Sequence, residues 1–224
     1  MGNQTEWSER KIGQFQSAII DWFKNEGRHD LPWRTTRDPY AVLVSELMLQ
    51  QTQVATVLNR GFFENWLSKF PDVETLAAAE EDAILKAWEG LGYYNRARNL
   101  QKAAREIVTN HEGRFPTDLE TILTLPGVGR YTAGAVYSCA FEKSAPVVDG
   151  NVVRIFSRIF GSTSPVDSTA GQKQMWNWAE ELVPDQNARE FNSGLMELGQ
   201  RICRKSNPNC EECPVRPHCS AKQN

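Results

Sequence analysis

Four of the five cysteines lie close together near the C-terminus of this 224-residue chain. They are Cys203, Cys210, Cys213 and Cys219, in the pattern C-x6-C-x2-C-x5-C. Four thiolates at such spacing form the ligand set of a metal centre, either zinc or an iron–sulfur cluster. Zinc sites usually pair their cysteines in two short knuckles, whereas here one short pair lies between wider loops. The spacing favours a [4Fe–4S] cluster, and four free thiols would be prone to oxidation.

A second candidate for chemistry is an acidic residue within an apolar stretch. Glu46 lies inside residues 41–49, where Ser45 is the other polar side chain. Burial raises the pKa of a carboxyl group, and a carboxyl group that keeps its proton near neutral pH can act as a general acid. The alternative is that Glu46 lies on the exposed side of an amphipathic helix.

A glycine-containing turn is a third candidate. Residues 125–130 read Leu-Pro-Gly-Val-Gly-Arg between two predicted helices, and the proline ends the first of them. The two glycines permit backbone angles that are closed to other residues. The amides of Gly127, Val128 and Gly129, with the N-terminus of the next helix, can bind a phosphate group without reading a base sequence. The alternative is an ordinary turn between helices.

The elements that must position these groups are predicted to be helical. Apolar residues recur at helical spacing in nearly every segment, whereas strand-like alternation is scarce. Asp72 and Thr117 are predicted N-caps, and Gly27 is a predicted helix end. An all-α fold follows. The predicted helices span residues 12–23, 39–60, 72–79, 83–90, 95–110, 117–124, 130–141, 152–160, 173–182 and 191–202.

Charge places a limit on the kind of partner. The chain has 25 Lys and Arg against 28 Asp and Glu, so binding to nucleic acid would require a local positive surface. Two basic stretches are candidates, although charge alone favours an ordinary solvated helix face for each. They contain Arg96, Arg98, Lys102 and Arg105, and Arg201, Arg204 and Lys205.

The sequence also indicates a location. No apolar run reaches the length of a membrane span, and residues 1–10 lack the apolar stretch of a signal peptide. The fifth cysteine, Cys139, lies in an apolar run and is predicted to pack as a small hydrophobic residue. Because the other four cysteines are assigned to a metal, no disulfide is implied. We expect an intracellular, reducing compartment such as the cytoplasm, and no membrane partner.

Taken together, the segments between Trp33 and Cys219 resemble the helix–hairpin–helix–GPD glycosylases of the endonuclease III superfamily, and specifically the MutY-type adenine DNA glycosylases. The stretch from Glu46 through Gln-Gln-Thr-Gln at 50–53 is the most diagnostic of the adenine branch. The segments that carry the resemblance are 31–34, 45–54, 90–94, 125–130, 148–152 and the cysteine loop.

The resemblance implies a monofunctional DNA glycosylase that excises adenine paired with 8-oxoguanine or guanine, in base excision repair. Glu46 would protonate the adenine ring, and Asp149 would stabilise the positive charge on the sugar or bond to it. Asp149 is also a candidate N-cap, and Asn151 would hydrogen-bond in the pocket. Tyr131 stands where the bifunctional branch has a nucleophilic lysine, and its hydroxyl would hold Asp149 or the sugar.

The implied partner is double-stranded DNA with a mismatch or an oxidised base, from which the target base is extruded. Gln51 and Tyr93 would insert into the helix near the lesion; the alternatives are a surface amide and a core aromatic. Leu31, Trp33 and Arg34 would form the wall of the adenine pocket.

The resemblance also implies two lobes in a monomer. Residues 31–138 would form a six-helix barrel that includes the hairpin, and residues 1–30 and 139–224 would form the iron–sulfur cluster domain. The active site would lie in the cleft between them. The cluster would be structural, because cysteine occupies all four ligand positions, and its loop would present Arg204 and Lys205 to phosphates.

Two features differ from the family pattern. The chain ends at Asn224, before the second domain with which MutY-type enzymes recognise 8-oxoguanine, so the preferred opposite base is open. Residue 153 is valine, where some members have lysine. One alternative is a thymine or uracil mismatch glycosylase, and another is a non-catalytic DNA-binding iron–sulfur module.

Overall fold

The computed structural model describes residues 7–223, without the side chains of residues 222 and 223. Within this range the regular structure consists of helices, which confirms the predicted all-α class. Part of the N-terminal segment expected to lack a signal peptide, residues 1–6, lies outside the described residues. In the part of the chain that is described, no helix has the length and apolar character needed to span a bilayer.

The chain divides into two compact units. The central unit is His29–Phe141, and the predicted boundaries of the barrel, residues 31 and 138, lie inside it. The terminal unit combines the segment that ends at Arg28 with the segment that begins at Glu142.

The central unit is built around α2, whose residues from Tyr40 to Met48 are all buried. A helix that is apolar on every side belongs in a core, and α2 packs against α7 and α9. Trp66 and Trp88 meet edge to face in the same core, with ring centroids 5.2 Å apart. The helices of this unit are α2 Pro39–Leu49, α3 Val54–Asn59, α4 Phe62–Lys69, α5 Val73–Ala78, α6 Glu81–Ala87, α7 Asn95–Asn110, α8 Leu119–Thr124 and α9 Arg130–Phe141.

The prediction of one long helix over residues 39–60 is wrong. The structure has two helices there, α2 and α3, separated by residues 50–53. Gln51 in the break has a φ of 55°, in the left-handed region, and the buried Arg96 donates hydrogen bonds to the carbonyls at the end of α2. The apolar spacing continues through the break, so the sequence pattern does not reveal it.

The N-caps were predicted with mixed success. Asp72 caps α5 as predicted, accepting a hydrogen bond from the Thr75 amide at 2.8 Å. The predicted cap at Thr117 is wrong, because Asp118 caps α8 and accepts from the Thr121 amide at 2.8 Å. A carboxylate accepts this bond as well as a hydroxyl does, and it begins the helix one residue later.

In the terminal unit α12 packs against both α1 and α10. A Cβ atom at Gly194 of α12 would lie 2.7 Å from Ile19 Cγ2, so glycine permits the close approach to α1. The fully buried Glu197 of α12 pairs with Arg28, whose Nε lies 2.7 Å from Oε1. The helices of this unit are α1 Glu9–Glu26, α10 Gly150–Ile159, α11 Thr169–Leu182, α12 Ala188–Arg201 and α13 Ser220–Gln223.

Candidate active site

In the central unit, a carboxyl group of α2 is paired with a tyrosine of α9. Glu46 is only 8% exposed, so the alternative of an exposed helix position is wrong. The Tyr131 hydroxyl donates a hydrogen bond to Glu46 Oε2 at 2.8 Å. The contact differs from the predicted role of Tyr131, in which its hydroxyl holds Asp149 or the sugar. The phenol fixes one oxygen of this buried carboxyl group, so the group has a defined position from which it can transfer a proton.

In the terminal unit, Asp149 caps α10. Its Oδ1 accepts hydrogen bonds from the amides of Asn151 at 2.9 Å and Val152 at 2.8 Å. Its Oδ2 accepts from Asn151 Nδ2 at 2.7 Å. The suggestion that Asp149 is an N-cap is therefore confirmed, and the structure brings Asp149 and Asn151 together. Three N–H donors around one carboxylate fix its orientation and suit its negative charge.

Arg154, which sequence analysis missed, extends this network to the cysteine loop. Its Nη2 donates to Asn151 Oδ1 and to the Gly199 carbonyl, both at 2.8 Å, and its Nε donates to the Cys203 carbonyl at 2.8 Å. A Cβ atom at Gly199 would lie 2.5 Å from Asn151 Cβ, so the glycine lets α12 approach α10. A basic residue three positions after Asn151 on the same helix was the available signal.

The four cysteines of the predicted metal centre line one cavity of about 170 Å³ in the terminal unit. Burial raises the pKa of the Cys213 thiol to about 11. Arg158 Nη1 donates to Cys203 Sγ at 3.2 Å. Among residues 7–223 as their side chains stand, no three His, Cys, Asp or Glu side chains form a group that could hold a metal ion. Four sulfurs around one cavity nevertheless fit the donor set of a cluster whose irons occupy separate corners.

Two of the three residues predicted to form the pocket wall belong to the core of the central unit. Leu31 and Trp33 are buried, and Trp33 packs edge to face on Phe63 with ring centroids 5.8 Å apart. Arg34 is half-buried and ends a short 3-10 turn that begins at Pro32. If Trp33 forms part of the pocket wall, only the small exposed part of its side chain is available to contact a ligand.

The two residues predicted to insert into DNA lie in neighbouring loops. Tyr93 is 63% exposed, so the alternative of a core aromatic is wrong, and Gln51 is also exposed. Both residues line one open pocket of about 320 Å³. The backbone of each is in the left-handed region, with φ of 55° at Gln51 and 46° at Tyr93.

The glycine turn differs in detail from its prediction. Gly127 has a φ of 78°, and a Cβ atom there would lie 2.5 Å from Asn99 Cβ, so glycine is required. Gly129 is outside the left-handed region and faces open space. Val128 is buried, and its amide donates to the Leu125 carbonyl at 3.0 Å. The turn therefore uses the Val128 amide for its own hydrogen bond, contrary to the prediction that this amide binds phosphate.

Residues 44–181 match the family model of the HhH-GPD superfamily base excision DNA repair protein. Over 222 residues the chain is 42% identical to the adenine DNA glycosylase of Homo sapiens. The alignment covers 95% of this chain and 40% of the human protein. The chain is also 38% identical to the thymine/uracil-DNA glycosylase of Methanothermobacter thermautotrophicus, covering 95% of this chain and 94% of the relative.

A solved structure of a thermostable thymine-DNA glycosylase superposes with a TM-score of 0.85 at 35% identity, over 96% of this chain and 97% of that one. The chain thus belongs to the HhH-GPD superfamily of base excision DNA repair proteins, which confirms the resemblance. It spans less than half the length of the human adenine DNA glycosylase that it matches.

Proposed function

We propose that this protein is a monofunctional DNA glycosylase that excises adenine mispaired with 8-oxoguanine or guanine, in base excision repair. The observation that carries the proposal is the buried Glu46 carboxyl group at 2.8 Å from the Tyr131 hydroxyl. A purine ring presents nitrogen lone pairs that accept a proton, and a protonated adenine leaves as a neutral base. A buried acid is therefore better suited to adenine than to thymine, whose ring presents carbonyl oxygens.

In this proposal the proton of Glu46 passes to an adenine ring nitrogen as the N-glycosidic bond breaks. Asp149, oriented by hydrogen bonds from Asn151 and the start of α10, stabilises the positive charge on the sugar. Water then supplies the hydroxyl group at the sugar carbon and releases a proton. Tyr131 has no amine, so the proposal includes no imine with the sugar and no strand cleavage.

The proposed partner is duplex DNA, bound by a monomer. Gln51 and Tyr93 enter the base stack, and the exposed Tyr93 ring is suited to stacking on a base. The open space beside Gly129, at the start of α9, leaves room for a phosphate group. Leu31, Trp33 and Arg34 are proposed to bound the pocket of the extruded base.

We also propose that Cys203, Cys210, Cys213 and Cys219 hold a [4Fe–4S] cluster in the cavity that they line. When bound, the cluster supplies four bonds that pin this loop. Arg158 supports the same loop by donating to the Arg204 carbonyl at 2.9 Å and the Lys205 carbonyl at 3.2 Å. An intracellular, reducing location would keep the four thiols available for iron.

A panel of end-labelled duplexes under single-turnover conditions tests the proposal. The panel contains A opposite 8-oxoguanine, A opposite G, T opposite G and U opposite G. We expect alkali-labile abasic sites at the two adenine mispairs, and no strand cleavage before alkali. If adenine is released from neither of the two mispairs, the proposal is overturned.

A thymine or uracil mismatch glycosylase is the second candidate. It is favoured by the Methanothermobacter thermautotrophicus relative and the thymine-DNA glycosylase structure, because this chain covers 94% and 97% of them. Faster release of T or U than of A in the same panel would establish it instead. Tight binding to the mispairs without an abasic product would establish a non-catalytic DNA-binding module.

A further inference from the structure

Arg96 is a cation buried in the core of the central unit, with 7% of its surface exposed. Its Nη1 lies within hydrogen-bonding distance of the carbonyl oxygens of Leu47, Met48 and Gln50, at 2.8, 2.9 and 2.5 Å. The same nitrogen donates to Thr52 Oγ1 at 3.2 Å. The last carbonyls of a helix have no amide partner in the helix itself, and a guanidinium group at this end also opposes the helix dipole.

The other half of the guanidinium group holds a second loop. Arg96 Nη2 donates to the carbonyl oxygens of Leu91 and Gly92, at 3.0 and 3.1 Å. Its Cζ lies 5.3 Å from the Trp88 ring centroid and 5.5 Å from the Tyr93 ring centroid. One side chain thus joins the loop after α2 to the loop before α7.

Each of these loops contains a residue whose backbone is strained. Gln51 has a φ of 55° and Tyr93 a φ of 46°, and neither is glycine. Such conformations are unfavourable for residues other than glycine and persist where surrounding contacts hold them. The same guanidinium group contacts carbonyl oxygens in both loops, and both residues line the same pocket.

We infer that Arg96 is a positioning residue that locks the two loops, 50–53 and 91–94, in one arrangement, so that Gln51 and Tyr93 enter the DNA base stack as a coupled pair. This inference rests on the proposed function, because it assigns a task to the residues proposed to insert. It also explains why a costly buried cation is placed beside exposed loop residues.

Lysine cannot replace arginine in this role. The planar guanidinium group presents donors on two nitrogens in a fixed fork, whereas an ammonium group is a single point of charge. Arg96→Lys therefore keeps the charge and loses the bridge. Arg98→Lys is the matched control, because Arg98 lies on the same helix, is only half-buried and binds Glu81 Oε1 at 2.7 Å.

The experiment compares two duplex substrates that differ in the free energy needed to extrude the target adenine. In one duplex adenine faces guanine, and in the other it faces an abasic analogue, where it is already unpaired. We expect Arg96→Lys to slow excision from the first by about 10- to 100-fold, as small misplacements do, and to leave excision from the second within about threefold of the unmodified protein. A 2-aminopurine base beside the target should also lose its fluorescence rise on binding. Arg98→Lys should change none of these.

Equal losses on both duplexes, or no loss on either, would overturn the inference. If the unmodified protein releases no adenine at all, the proposed function fails, and the 2-aminopurine rise still tests Arg96. In that case an unchanged rise in Arg96→Lys would overturn the inference.

A second set of variants leaves the core intact. Gln51→Ala, Tyr93→Ala and the double variant alter exposed side chains, and a coupled pair predicts that the double variant loses no more than the worse single variant. Losses that multiply would show that the two residues act independently, and would overturn the inference even if Arg96→Lys does not fold.

Discussion

At the scale of single residues, the proposed chemistry depends on the contact between Tyr131 and Glu46. The phenol donates to one carboxyl oxygen at 2.8 Å and so restricts the orientation from which the proposed proton transfer would occur. The two residues are 85 positions apart in sequence, and they meet because α2 packs against α9. The hydroxyl group, and not the aromatic ring, is the part of Tyr131 that the chemistry requires.

Tyr131→Phe tests this requirement. We expect adenine excision to slow by about tenfold, because one hydrogen bond to the acid is lost while the ring still packs. Affinity for the duplex should be unchanged, as measured by fluorescence anisotropy. Tyr137→Phe is the matched control on α9, and it should leave the single-turnover rate unaltered. Equal rates for the two variants would remove Tyr131 from the mechanism.

At the scale of elements, Asp149 has a structural task and a proposed chemical task. It caps α10 through two amides, and its charge is proposed to stabilise the sugar cation. Asparagine is as good an N-cap as aspartate but has no charge, so substitution can separate the two tasks.

Asp149→Asn should keep the two amide bonds of the cap through its oxygen, but its amide nitrogen cannot accept from Asn151 Nδ2, so we expect a loss of about 1 kcal/mol of stability while excision falls by about 100-fold or more. Asp149→Ala should lose the activity and about 1 kcal/mol more of stability than Asp149→Asn, because the cap is also removed. Urea unfolding and single-turnover rates would check both variants. An active Asp149→Asn protein would show that the charge is not needed.

The helices also show which features the sequence could predict. The bounds of α7, Asn95–Asn110, match the prediction, because an amphipathic repeat follows a glycine turn and both signals are local. The break after Leu49 could not be predicted, since it depends on Arg96, which lies 46 residues beyond Gln50 in sequence. The Arg154 network escaped prediction for a similar reason, because it requires α12 to approach α10 at Gly199.

The candidate site shows the same division. The burial of Glu46 followed from its apolar neighbours, and the capping role of Asp149 followed from the helix start beside it. Which group the Tyr131 hydroxyl would contact could not be predicted, because that depends on how two distant helices pack. The same limit applied to Arg96, which appeared in the sequence as one member of a basic helix face.

At the scale of the whole molecule, the cysteine loop is the segment whose structure is proposed to depend on a bound iron–sulfur cluster. Its four sulfurs surround one cavity, and the chain provides a fifth cysteine, Cys139, outside this set as an internal control. Because Cys139 belongs to the central unit, its removal should not affect the metal site.

Cys213→Ser should therefore lose most of the bound iron and the visible thiolate-to-iron absorbance, whereas Cys139→Ser should keep about four irons per chain, like the unmodified protein. Metal analysis and absorption spectra of anaerobically purified protein would measure both. Zinc in place of iron in the unmodified protein would contradict the proposed cluster, as would equal iron loss in the two variants.

The most direct test of the whole account is the single-turnover rate of Glu46→Gln on adenine opposite 8-oxoguanine, compared with the unmodified protein at saturating enzyme. Glutamine has nearly the same shape and keeps a hydrogen-bonding oxygen for Tyr131, but it has no acidic proton to give. We predict that excision falls by about 100- to 10,000-fold while the duplex is bound with unchanged affinity. A rate within about threefold of the unmodified protein would contradict the account, because position 46 would then supply no proton to the leaving base.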